Sequence, residues 1–102
     1  MADVLSIVAK FRAAKGKGDA LAALLKEQAA VVKKNEPGCL VYRPHRSTKD
    51  PDVFIFYEQY KDDAAFDVHR NAAYLAEYRA RREKEGLTEG ATEVEFYRSL
   101  TD

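Results

Sequence analysis

Between Val4 and Arg12 the residues Leu5, Ile7, Ala9 and Phe11 alternate with Ser6, Val8 and Lys10, the two-residue period of a strand. Lys15-Gly16-Lys17-Gly18 reads as a turn, with Asp19 as the cap of the next element. Leu21, Leu24, Leu25, Gln28 and Val32 then fall at helical spacing through an alanine-rich stretch. Asn35-Glu36-Pro37-Gly38 ends that helix, because proline cannot continue it and glycine permits a sharp exit. A second strand is predicted from Cys39 to Arg46 and a third from Val53 to Tyr60, joined as a hairpin through Thr48–Asp52. Asp62 or Asp63 is expected to cap a short helix carrying Ala65, Phe66 and His69. Asn71 is expected to interrupt it and to cap a further helix through Tyr74, Leu75, Tyr78 and Arg82. Gly86 and Gly90 bound a loop, and Ala91 to Leu100 is predicted as the last strand.

The resulting order, β-α-β-β-α-β, is that of α+β ferredoxin-like folds, with an antiparallel sheet whose first and third strands are central. A strand with one buried side should alternate cleanly, but these do not. The first offers Val4 and Val8 on the side away from Leu5, Ile7 and Phe11, and the third offers Val53, Ile55 and Tyr57 against Phe54, Phe56 and Tyr60. Two helical segments cover one face only, and a bare second face would be a large apolar patch for a monomer. A second copy of the chain is the simplest cover, giving a homodimer through the sheet faces by a two-fold axis. A monomer at all concentrations by light scattering would contradict that expectation.

Composition narrows the function. At 102 residues the chain has room for one domain, 1–102. Seventeen Lys and Arg balance seventeen Asp and Glu, and no basic stripe offers itself to nucleic acid or an anionic membrane. Cys39 is the only cysteine, which leaves no intrachain disulfide and no thiolate metal cluster. The first ten residues lack the basic start and long apolar run of a secretory signal, so a cytoplasmic location is expected. Gly16-Lys17-Gly18 is too short for a phosphate-binding loop, and two histidines without metal-ligand spacing predict no metal.

Three stretches resemble the antibiotic biosynthesis monooxygenase (ABM) family. They are the opening strand with Lys15-Gly16-Lys17, the segment Glu36-Pro37-Gly38-Cys39-Leu40-Val41-Tyr42, and Phe54 to Asp62 continuing through Ala65 and Phe66 to His69. The resemblance implies a dimeric α+β barrel with a pocket in each subunit between sheet and helices. It also implies oxidation of small hydroxylated aromatics or quinols by molecular oxygen, with no metal, flavin or haem. A haem-degrading branch uses a strand asparagine, a helix tryptophan and a histidine. The matching positions here are Ala9, His69 and Tyr78, and the chain has no tryptophan, which argues against haem chemistry.

Within that frame His69 is the candidate catalytic base, three residues after Phe66 and so on roughly the same helix face. The competing reading is a core histidine making one structural hydrogen bond. Tyr74 and Tyr78, four apart, and Tyr42 and Tyr57, on neighbouring strands, are candidate pocket residues, with plain core packing as the alternative for each. Glu58 stands among aromatic strand residues, where a carboxylate must be paired or have its pKa raised; it would orient His69 or pair with an arginine. Cys39 has no neighbouring histidine to activate it, and His45 is expected to face solvent. Glu77–Arg81 and Arg81–Glu85 mark a solvated helix face. The expected activity is a cofactor-independent monooxygenase acting on a quinol or small hydroxylated aromatic. The rivals are a non-oxidative isomerase or tautomerase, and a non-catalytic dimer that binds a small molecule.

Overall fold

The computed structural model describes residues 3–101. β1 (Leu5–Ala13) leads through a turn to α1 (Gly18–Asn35), and β2 (Cys39–Arg46) and β3 (Val53–Tyr60) come next as a hairpin. Two short helices, α2 (Asp63–Arg70) and α3 (Ala73–Lys84), precede β4 (Thr88–Arg98). The strands form one antiparallel sheet in the order β2-β3-β1-β4, so β1 and β3 are central and the fold is α+β ferredoxin-like. Among the described residues no helix is long and apolar enough to cross a membrane.

Strand period decides which side chains meet the helices. Phe54, Phe56, Glu58 and Tyr60 of β3 are buried, as are Leu5, Ile7, Ala9, Phe11 and Ala13 of β1. The α1 stripe Leu21, Leu24, Leu25, Gln28 and Val32 is buried against them. Leu75 and Tyr78 of α3 join the same core as Phe11, Phe54 and Phe56, and Ala65 of α2 packs with Leu5, Ile7 and Tyr60. All three helices therefore lie on one side of the sheet. Each fully buried leucine of α1 contributes about 1.5–3 kcal/mol from burial. Phe11 stacks on Phe54 across the strands at 6.3 Å, and Tyr42 on Phe56 at 4.4 Å.

The other face carries Val8, Val53, Ile55 and Tyr57, each half-buried, with Val8 directly opposite Tyr57. The helices also stop short of β4. Val94 and Phe96 stand opposite Ala9 and Ile7, on the helix side, yet remain about half exposed.

Several element ends differ from the sequence reading. α1 starts at Gly18, so Asp19 lies within its first turn rather than before it, where its carboxylate suits the helix dipole and meets Arg46 at 2.9 Å. Asp62 does cap α2, its side chain accepting from the Ala65 amide at 2.8 Å. Asn71 closes α2 instead of opening α3: its side-chain amide donates to the Asp67 carbonyl, and α3 begins after Ala72 with no side-chain cap. β4 starts at Thr88 and ends at Arg98. Gly90 is inside it at φ +70°, where the register against β1 slips between Lys10 and Arg12, so this glycine forms a bulge rather than a loop boundary. Arg81 pairs with Glu85 as expected, but its second partner is Glu27 of α1 rather than Glu77, and the bridge ties two helices together.

Candidate functional site

His69 occupies the buried side of α2, four residues after Ala65, with 4% of its surface exposed. Its Nδ1 lies 2.9 and 3.2 Å from the two carboxylate oxygens of Glu36. Glu36 succeeds the last turn of α1, and its own backbone N–H donates to the Val32 carbonyl. At 3% exposure its carboxylate needs donors, and it has two: the imidazole and the Tyr74 hydroxyl from α3. A carboxylate can only accept, so with Glu36 as its partner Nδ1–H donates and Nε2 carries the free lone pair of the neutral ring.

On the Nε2 side stands Glu58 of β3, its Oε1 4.0 Å away and accepting a 2.7 Å hydrogen bond from the Tyr60 hydroxyl. Burial pushes the Glu58 carboxyl up to about 7, with the Tyr60 hydrogen bond opposing and the nearby Glu36 charge reinforcing the rise. Glu58 thus meets a tyrosine and a histidine, and among the described residues no arginine pairs with it. Tyr42 and Tyr60 pack their rings 5.1 and 5.3 Å from the imidazole. Burial raises both phenols above their ordinary range, so they serve as neutral donors and apolar walls.

Of these groups His69, Glu58 and Tyr42 border a cavity of about 430 Å³ between the sheet and α2–α3, and Tyr60 and Glu36 lie outside its lining. Its walls are apolar, from Ile7, Ala9, Phe11, Phe56, Leu75 and Phe96, with His69, Glu58, Tyr42 and Tyr78 among the polar-tipped residues that face it. The exposed flank of β4 forms its outer lip. The arrangement sets an imidazole on the wall of a largely apolar chamber, beside a carboxyl able to give or take a proton near neutrality.

Of the residues singled out from sequence, His69, Tyr42, Glu58 and Tyr78 converge on this cavity. Tyr74 does not line it but stands behind the imidazole, holding Glu36. Tyr57 is separate: the two-residue period puts it on the opposite face from Glu58, among Val53 and Ile55. Cys39 is half-buried, its thiol donating to the Val41 carbonyl and pushed by burial to about 12, too high to give a thiolate. His45 is exposed and bonds locally to the Arg43 carbonyl. Among the described residues no three His, Cys, Asp or Glu side chains gather as a metal site requires.

Sequence reasoning misses Glu36, which reads as part of a helix stop. A signal is present, since Gln28, Val32 and Glu36 continue the buried stripe at four-residue steps, and a carboxylate on such a stripe needs a partner. Arg79 and Arg82 of α3 are also missed as site residues; they share the cavity face with Leu75 and Tyr78.

Similarity to known proteins agrees with this architecture. The chain superposes on SO0527 from Shewanella oneidensis with a TM-score of 0.86 and 30% identity, covering 97% of this chain and 93% of that one. For PA3566 from Pseudomonas aeruginosa the values are 0.82 and 31%, covering 99% and 98%. A Caulobacter crescentus protein provisionally named an antibiotic biosynthesis monooxygenase gives 0.90 and 27%, covering 98% and 92%. No curated protein sequence matches the chain. The sequence profile of the family described as antibiotic biosynthesis monooxygenase matches residues 4–81, from the start of β1 through the helices that carry the site. The chain belongs to the antibiotic biosynthesis monooxygenase family.

Proposed function

We propose that the protein is a cofactor-independent monooxygenase that oxidises a small hydroxylated aromatic or quinol with molecular oxygen, with His69 as the base. The observation that carries this reading is the buried Glu36–His69 pair on the wall of a largely apolar cavity, which occupies Nδ1 and leaves Nε2 without a hydrogen bond among the described residues. A quinol hydroxyl gives its proton to Nε2, and Glu36 stabilises the imidazolium that results. The electron-rich phenolate then reduces oxygen and a ring carbon bonds to it. Loss of water from that hydroperoxide leaves a hydroxyquinone, so one quinol and one O2 become one hydroxyquinone and one water. The apolar walls favour this course by excluding competing water and admitting oxygen.

The same reading includes a homodimer that covers the sheet face bearing Val8, Val53, Ile55 and Tyr57. A non-oxidative isomerase is the second reading, and one observation favours it: Glu58, 4.0 Å from Nε2, supplies a second proton carrier, which moving a proton between two atoms requires. The deciding measurement is oxygen uptake with a panel of hydroquinones and polyhydroxylated aromatics, chelator present, for wild type and His69→Ala. Uptake that collapses in the variant supports oxygenation with His69 as base. Turnover that persists without oxygen supports the isomerase, and no turnover with any substrate leaves a binding protein.

A further inference from the structure

Of the eight arginines of this chain, five hold a carboxylate among the described residues and three, the exposed Arg43 outside the cavity and the cavity-lining Arg79 and Arg82, do not. Arg12, Arg46, Arg70, Arg81 and Arg98 each hold a carboxylate between 2.7 and 3.0 Å. Arg79 and Arg82 of α3 do not: among the described residues neither has a carboxylate within ion-pair distance. Both line the cavity, on the helix face where the three- and four-residue steps from Leu75 to Tyr78, Arg79 and Arg82 place them together.

Arg82 is held in place although it lacks an ion pair. Its guanidinium carbon sits 5.3 Å from the Tyr78 ring centre and 5.8 Å from that of Phe11, and one nitrogen reaches the Tyr78 hydroxyl at 3.4 Å. Stacking fixes the plane of the guanidinium and leaves most of its N–H groups unspent. Arg79 is more exposed and adds a second positive charge at the same wall. An unpaired guanidinium in a largely apolar chamber favours an oxyanion there, because a charge-assisted hydrogen bond strengthens where water is scarce.

Arg82 stands by Phe11, away from the base, whereas the charge of Arg79 also acts on Glu58 beside the imidazole. Phe11 pairs with Phe54, whereas Tyr42, against the imidazole, pairs with Glu58, four residues further along β3. A ligand engaging both ends presents its hydroxyl to His69 and carries its charge on an arm extending toward Arg82.

We infer that the substrate of this site is an aromatic acid, a hydroxylated ring bearing a carboxylate or phosphate that Arg82 and Arg79 bind. This inference deepens the reading of the cavity as an active site and rests on it only for the identity of the ring. Binding is therefore measured without turnover, by calorimetry under nitrogen, with three probes: neutral ethylhydroquinone, homogentisate as the carboxylate, and hydroquinone monophosphate. At least one anion is expected to bind about tenfold or more tightly than ethylhydroquinone, and the tighter of the two names the group. Arg82→Gln and Arg79→Gln should each remove about tenfold of the anion's affinity and change ethylhydroquinone less than about twofold. Added salt should weaken the anion alone. Equal affinities for anion and neutral probe, no measurable binding of either anion, or anion binding indifferent to both substitutions overturns the inference. Preferential anion binding without oxygen uptake would overturn the monooxygenase reading and leave this one standing.

Discussion

The Nδ1 atom of His69 lies 2.9 Å from a carboxylate oxygen of Glu36, a residue 33 positions earlier in the chain. One comes from the buried stripe of α2 and the other from the exit of α1, and Tyr74 of α3 completes the grip. Three helices thus converge to fix one imidazole. Glu36→Gln keeps the shape but can present its amide to Nδ1, which favours the opposite tautomer and spoils Nε2 as a base. With a substrate found by oxygen uptake, kcat should fall about 10–100-fold with a smaller change in KM. The nitrogen-15 shifts of His69 should report the tautomer change directly. Unaltered shifts together with full activity would rule out this positioning role.

Glu58 makes stability depend on pH in an unusual direction. Its carboxyl is raised from 4.5 to about 7, so between those values the folded chain binds more protons than the unfolded one. Its contribution is fully present below about 4.5 and is lost as pH rises through about 7, at most about 3 kcal/mol. Glu58→Gln can still accept from Tyr60 and should remove this slope, making the variant more stable than wild type at pH 8. Urea denaturation from pH 4.5 to 8 compares the two. Parallel curves would show that Glu58 is not the group responsible.

Gly38 is required by close approach rather than by backbone angle. A Cβ built there would lie 2.8 Å from the Ala65 Cβ, which sits on the backbone of α2 and cannot swing aside. Gly38→Ala should cost about 1–3 kcal/mol in urea denaturation. Adding Ala65→Gly should return part of the loss even though glycine alone weakens the helix. Strictly additive effects in that double-mutant cycle would refute the contact.

The fold is legible where periodicity is strong. The α1 stripe at 21, 24, 25, 28 and 32 is plain from the residues alone. Val53–Tyr60 is plain as a strand, but both its faces are apolar, and only the packing of the helices shows that Phe54 and Phe56 are on the buried one. Features that escape such reading depend on contacts distant in sequence or on unmarked backbone. Glu36 becomes a site residue only because α2 returns to it, and its place beside Pro37-Gly38 resembles an ordinary helix stop. A strand neighbouring that of Tyr42 suggests a pocket role for Tyr57, although strand alternation sends it to the face opposite Glu58 and the cavity. Gly90 looks like a loop residue until its pairing with β1 shows a bulge.

Tyr57 and Ile55 carry the test of association. Ile55 stands between Lys10 of β1 and His45 of β2 on the face away from the helices. Ile55→Glu places a charge at the centre of that face and should shift the protein from dimer to monomer in light scattering, with little change in helix content. A wild-type protein that is already monomeric at high concentration would remove the basis for the dimer.

The two outer strands bear on how copies of this chain avoid fibrous aggregation. β2 and β4 are the sheet's margins, and an unguarded margin invites another strand to zip onto it. Pro44 breaks the run of amide hydrogens in β2. In β4 the Gly90 bulge and the glutamates at 89, 93 and 95 interrupt and repel a would-be addition. Both margins thus hinder lateral growth, and the proposed pairing through the flat of the sheet, if it forms about a two-fold axis, would close after two members instead of extending.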